Sequence, residues 1–327
     1  MDYRNNYFTS DDPNKIIEFY NGFKNRNQLI QWMKERPKGV DNIHEVDGDK
    51  EIIVVIPTAD FNGKYAKECR DNIFKGLHII FVESGEIPDP YFNGAHNVNV
   101  GIKKAMEYNP KWIVFSGDDM YKIDDISYLV DQLGQIQNNS VKNVFVNRGI
   151  YHSKPMYLAI PRLNYYLAVN FLSLFSDRWK YRKEILKALK KFNSRTVYYP
   201  KINYRILEEG TSYFQNIMLE LFDFLCFKKV YNFINMLDFV VLSGVYAKEK
   251  GGMVYDETFI NEMEDTDLSV SLSIHTYNYK FADFQIGDYI GSSLGNGISR
   301  ECRVVPGYSY FVEKTCKEYA FIKKASK

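Results

Sequence analysis

The chain has 327 residues, a formal net charge of +1 and 45% hydrophobic residues. That length suits one large α/β domain, or a domain with an added lobe, and the near-neutral charge removes any global electrostatic case for nucleic acid. The four cysteines form no CxxC pair and the five histidines are scattered, which argues against a disulfide framework or a structural zinc site.

The opening residues are polar and lack a signal-peptide apolar core. A cytoplasmic protein is the expectation. From 11 to 39, "DDPNKIIEFYNGFKNRNQLIQWMKERPKG" has the spacing of one or two amphipathic helices, stopped by Pro37 and Gly39. "EIIVVIPT" (51–58) is a short apolar run rich in β-branched residues, the pattern of a strand buried on both faces. A helical period over 62–76 leads to a second such strand, "LHIIFVESG" (77–85). A helix over 97–110 then leads to a third, "KWIVFSGDD" (111–119).

Strand and helix alternating over some seventy residues predict βαβ units, hence a mostly parallel, Rossmann-like sheet flanked by helices. Ligands in such sheets bind beyond the carboxyl ends of the strands. Those ends carry Pro57, Thr58 and Asp60, then Glu83 to Gly85, then Asp118 and Asp119. A helix near 123–138 and two further strands, 141–150 and 156–162, complete this half.

Residues 163–237 differ in kind. They are aromatic, helical in period and marked by the basic run "DRWKYRKEILKALKKFNSR". The uncharged stretch Leu163 to Ser176 is too short to span a bilayer. An insertion packed on the sheet is expected, either as plain core, as an acceptor lobe, or as a surface for peripheral membrane contact with its basic residues facing headgroups. The division expected is a 1–45 N-terminal helical extension, a 46–162 strand-and-helix half, a 163–237 helical insertion, and a 238–327 half with a C-terminal tail.

Two stretches carry the candidate chemistry. "SGDD" places adjacent carboxylates at a strand end, which suits a divalent cation such as Mn²⁺ or Mg²⁺, or simply a turn. "NEMEDTDLSV" (261–270) crowds Glu262, Glu264, Asp265 and Asp267 before a helix, where the helix dipole alone would favour acids.

"IIVVIPT", "IIFVESG", "NGAHNVNVGIKKAME" and "WIVFSGDDMYKIDD", followed by "DFVVLSGVYAKEKGGMVYDETFINEMEDTDLSVSL" (238–272), resemble in order the motifs of family 2 glycosyltransferases with the GT-A fold. The resemblance covers roughly 50–140 and 238–300. It implies an inverting, hexosyltransferase-like enzyme that moves a sugar from a nucleotide diphosphate sugar to a hydroxyl acceptor. UDP is the default nucleotide, with GDP and dTDP open, and the acceptor is a glycan, a protein or a lipid-linked group. It places Pro57, Thr58 and Asp60 at the nucleoside, Glu83 at the base or ribose, and Asn97 and Gly101 beside the diphosphate. Asp265 becomes the general base, supported by Glu264 and Asp267. The family's DxD motif is incomplete, because Ser116 or Gly117 replaces its first carboxylate. Asp118 and Asp119 are therefore joint metal candidates, with Asp118 also at the nucleotide sugar. Two other readings stay open: a non-catalytic nucleotide-sugar-binding or scaffold module on the same fold, and a nucleotidyltransferase.

Overall fold

The computed structural model describes residues 10–84, 91–146, 153–194, 213–236, 238–260, 262–274, 278–289 and 297–318. Gly85, at the end of the second expected strand, lies outside them.

The chain opens with two helices, α1 (Pro13–Asn21) and α2 (Arg26–Glu35). Asp12 caps the first by accepting the Asn14 N–H, and Asn25 caps the second by accepting that of Gln28. Strands β1 (Asn42–Val46) and β2 (Asp49–Thr58) follow, then a short helix α3 (Lys64–Glu68) that runs on as a π turn to Ile73. Next come β3 (Leu77–Glu83), α4 (Gly94–Met106), β4 (Trp112–Ser116), β5 (Met120–Lys122), α5 (Ile126–Gly134) and β6 (Asn143–Val146).

The middle region contains β7 (Ser153–Pro161), α6 (Leu163–Leu172), α7 (Asp177–Lys191), α8 (Tyr213–Cys226) and β8 (Phe227–Met236). The last part holds β9 (Phe239–Ser243), α9 (Gly244–Glu249), α10 (Glu264–Ile274), β10 (Tyr279–Ala282), β11 (Ile286–Asp288) and α11 (Ile298–Glu318).

Seven strands form one mixed sheet in the order β1-β3-β2-β4-β9-β6-β10. The pairs β3–β2, β2–β4 and β6–β10 are parallel. β9 is antiparallel to both of its neighbours, and β1 is antiparallel to β3 at the edge. The central strands are buried on both faces because apolar clusters cover both: Phe74, Leu129 and Phe284 on one, Val98, Ile102 and Leu272 on the other. This is the α/β class that the alternating pattern predicts, with a mostly parallel sheet flanked by helices.

A second core joins parts far apart in sequence. Tyr20 of α1, Trp32 of α2, Leu189 of α7 and Phe311 of α11 pack together with Met156 and Phe233 of the ribbon that β7 and β8 form. The expected N-terminal extension and part of the insertion thus share one helical layer with the C-terminal helix.

Two sequence expectations need correction. The boundary at 45 cuts β1, whose mostly exposed residues give no apolar run to read. The insertion is not wholly helical, because 227–236 is a strand that pairs antiparallel with β7, with one register shift at Leu158 and Ala159. Its apolar residues sit among aromatics and lysines, so neither period dominates there.

Candidate active site

Parallel β2, β3 and β4 bring Thr58, Glu83 and Ser116 to one edge of the sheet, with Thr58 and Glu83 in direct register. Pro57 lies one position back, opposite Val82. The Thr58 hydroxyl donates to Asp118 Oδ2 at 2.7 Å, so the ends of the first and third expected strands are tied together. The three strand ends expected to converge do so.

The acids at this edge come from four segments. Because β9 runs antiparallel, its beginning meets the end of β4: Phe239 pairs with Ser116, and the Gly117 N–H donates to the Asp238 carbonyl at 2.8 Å. β11 pairs with β5, with Asp288 opposite Met120, and the Tyr289 N–H donates to the Asp119 carbonyl at 2.8 Å. Helix α10 begins at Glu264 and Asp265, close enough to Asp238 for their charges to act on it.

Electrostatics report the crowding. Loss of hydration pushes the Asp238 carboxyl up to about 7, reinforced by Asp119, Asp265 and Asp288 and opposed by Arg300. Its side chain nonetheless meets solvent. Asp238 thus stands at the surface of this edge, crowded by carboxylates from three other segments. Asp118 is raised to about 6, mainly by burial, with the Thr58 hydroxyl pulling the other way. Glu264 is held toward its neutral form by burial and then by Asp265, and its Oε2 is buried without a hydrogen bond.

Gly117 lets two acids approach each other. A Cβ there would stand 2.9 Å from Asp119 Oδ1 and 3.4 Å from the Asp238 Cβ. Any side chain would push one of the two acids away.

The structure separates the remaining sequence candidates. Glu83 spends its carboxylate locally, accepting the Phe61 N–H at 2.8 Å and pairing with His44 Nε2 at 2.9 Å. His44 also stacks on Phe61 at 4.3 Å, so Glu83 fixes the loop after β2. Asp60 is exposed and accepts the Asn62 N–H at 2.9 Å, closing an Asx-type turn. Asn93 caps α4, so Asn97 lies inside the helix; it is fully buried and neither polar side-chain atom has a hydrogen-bond partner. Gly101 is pressed onto the sheet, where a Cβ would fall 2.3 Å from Val55 Cγ1. Asp267 is committed to Lys314 at 2.6 Å, and Lys314 also binds Asp256 at 3.0 Å. Asp265 and Asp267 thus part company, one at the cleft and one in a buried ion network.

Met263, just before α10, holds φ of 77° although it is not glycine. That left-handed conformation costs energy in an L residue, and it sits immediately before the two acids that α10 brings to the cleft.

Sequence reasoning missed Asp238 and Asp288. The signal for Asp238 was an isolated acid directly before an apolar strand. For Asp288 it was the single acid in "IGDYIG". Tyr289 beside it forms an aromatic rim with Tyr121 and Tyr65, at ring distances of 5.1 and 5.9 Å. An open groove of about 470 Å³ lies elsewhere, against α7, and shares no residue with the acids.

Among the described residues, no three acids, histidines or cysteines group tightly enough to enclose a metal ion by themselves. No family model, curated protein or solved structure matches the chain.

Proposed function

We propose that this chain is an inverting glycosyltransferase of the family 2 type on a GT-A fold, transferring a sugar from a nucleotide diphosphate sugar to a hydroxyl acceptor. One observation carries the reading. Four segments remote in sequence bring Asp118 and Asp119, Asp238, Asp265 and Asp288 to one strand edge beside Thr58. A sheet edge is where such folds bind ligands, and acids that raise one another's protonation energy belong where a cation or a reacting proton is handled.

The donor set suits a divalent cation. Carboxylate oxygens are hard ligands, and Mg²⁺ is usually held by one or two of them with substrate phosphate completing the shell. Asp119 and Asp238, both against Gly117, would hold it, because Asp118 already accepts the Thr58 hydroxyl. A bound Mg²⁺ or Mn²⁺ would supply charge stabilisation for the departing diphosphate. Arg300, whose charge already acts on Asp238, would add a second positive group.

Asp265 takes the role of general base toward the acceptor hydroxyl. Its two acidic neighbours are poorly suited to that role: Glu264 is held toward its protonated form and Asp267 is bound to Lys314. UDP-sugars are the first donors to try, then GDP- and dTDP-sugars. The test is thermal unfolding with each donor, with Mn²⁺ or with EDTA, alongside an assay for released nucleotide. A midpoint that rises with donor and Mn²⁺, together with nucleotide release, supports transfer. A rise without release, across a broad acceptor panel, favours the non-catalytic binding module. No rise with any donor removes the reading.

A further inference from the structure

Twelve of the 21 large apolar side chains left exposed among the described residues fall on two stretches, 163–175 and 214–225. Leu167, Phe171, Leu174 and Phe175 on the first, with Phe214 and Phe224 on the second, are between 58% and 73% exposed. Helix α6 carries no charge and only Asn164 and Asn170 interrupt its apolar and aromatic residues, yet only Tyr165 and Val169 are buried. No charge occurs from 163 to 176. A helix so largely apolar belongs in a core or in hydrocarbon, and an apolar surface of this extent marks an interaction site.

The two stretches are one surface. α6 and α8 meet at the end of the β7–β8 ribbon, where the Arg162 N–H donates to the Cys226 carbonyl at 2.7 Å and its guanidinium to that of Phe224 at 3.1 Å. Asp223, on the same helix, is turned inward and accepts the Tyr157 hydroxyl.

Basic residues border the surface at both ends. Arg162, Lys228 and Lys229 stand exposed at the ribbon end. At the other end, Lys180, Lys183 and Lys187 line an open groove together with Leu174, Lys180 paired with Asp177 and Lys187 with Glu184. Helix α7 carries seven Lys or Arg against two acids, in a chain whose net charge is only +1. A basic rim around an apolar face complements an anionic bilayer. A second copy docked face to face would bring like charges together. No helix among the described residues is long and apolar enough to cross a membrane.

We propose that α6 and α8 form a docking face that lies in the headgroup–acyl boundary of an anionic bilayer, with the α7 lysines and the Arg162 cluster on phosphate headgroups. This rests on surface chemistry alone and does not depend on the sugar-transfer reading.

The experiment is flotation of the full chain with vesicles of equal parts phosphatidylcholine and phosphatidylserine, and with phosphatidylcholine alone. The chain should float with the mixed vesicles at low salt and weaken as salt rises. Replacing Phe171, Phe175, Phe214 and Phe224 by Ser should cut binding by about 100-fold or more while leaving the thermal midpoint in place, since all four are exposed. Lys183→Glu and Lys228→Glu should each cost about fivefold or more, with the apolar face untouched. A chain that stays in solution with the mixed vesicles overturns the proposal. So does a serine variant that binds like the wild type, because charge alone would then explain the attachment. A dimer in sedimentation velocity without lipid, dissolved by the four serines, would assign the face to a second copy.

Discussion

Gly101→Ala tests whether this glycine serves packing or substrate. In an open helix the change would stabilise by about 1 kcal/mol, because alanine restricts the unfolded chain and favours the helix. Here the added methyl meets Val55 Cγ1 at 2.3 Å and Val82 Cγ2 at 3.1 Å. Both valines are fully buried in central strands, and a β-branched side chain has few rotamers into which to retreat. Overpacking of this kind costs about 1–3 kcal/mol, so the sum runs from about neutral to a loss of about 2 kcal/mol. Urea unfolding of Gly101→Ala, alone and combined with Val55→Ala, reads the effect directly. With Val55 shortened the 2.3 Å contact is gone and only that with Val82 Cγ2 at 3.1 Å remains, so the same Gly101→Ala change should cost clearly less than in the wild-type background. An equal loss in both backgrounds would refute the contact as the cause. Unchanged stability with weakened nucleotide binding would return Gly101 to the diphosphate.

His96 is held between Asp41 Oδ2 at 3.0 Å and Glu257 Oε2 at 2.9 Å, and these two hydrogen bonds raise its pKa from 6.5 to about 9. The stability it contributes is complete below the unfolded value of 6.5 and is lost as pH rises through about 9. The unfolding free energy from urea titrations should therefore fall across that window by up to about 3 kcal/mol, and His96→Gln should flatten the fall. Asp265→Asn should keep donor affinity and stability while slowing transfer by about 10²–10⁴-fold; kinetics with measured donor binding checks both halves. Asp267→Asn should instead destabilise by about 1–3 kcal/mol, because Lys314 loses one of its two buried carboxylates; greater loss of transfer there than in Asp265→Asn would reassign the base. Asp238→Asn should raise the unfolding midpoint without metal, by removing one mutually repelled charge, and weaken Mn²⁺-dependent nucleotide binding; lower stability in the absence of metal would contradict the repulsion.

The sheet was legible because its central strands are buried on both faces. That condition writes itself into "IIVVI", "LHIIFV" and "WIVF" as unbroken apolar runs. The convergence of Thr58 with Asp118 was legible for the same reason, since parallel strands put like ends together. Antiparallel pairing hides its partners. Asp238 meets Gly117 across more than a hundred residues only because β9 is reversed within the sheet, and nothing in "MLDFVVLS" states a direction. Asp288 arrives on a strand of three residues, too short for a period to register. Glu83 shows the opposite failure. Its place at a strand end was readable, but His44 and the Phe61 N–H that occupy its oxygens come from an exposed edge strand and a turn.

The cleft acids raise a question that fold stability does not answer. Asp238 would be better solvated almost anywhere on the surface, and its pKa near 7 records both lost hydration and the repulsion of Asp119, Asp265 and Asp288. Packing does not require that arrangement, since the strands around it close through backbone bonds and apolar side chains. Gly117, by contrast, is required by it: the residue keeps two carboxylates within reach at a strand end where a side chain would relieve the crowding. Met263 adds left-handed strain at the turn that delivers Glu264 and Asp265 to the same place. Three separate costs, in hydration, charge and backbone conformation, thus fall on one edge of the sheet. The proposed cation at that edge would offset the first two of them. The nearest described cation, Arg300, is shared with Glu262 at 3.5 Å and leaves Asp238 still raised. A divalent ion is the compensation proposed for this edge, and the binding test with and without one bears on it directly.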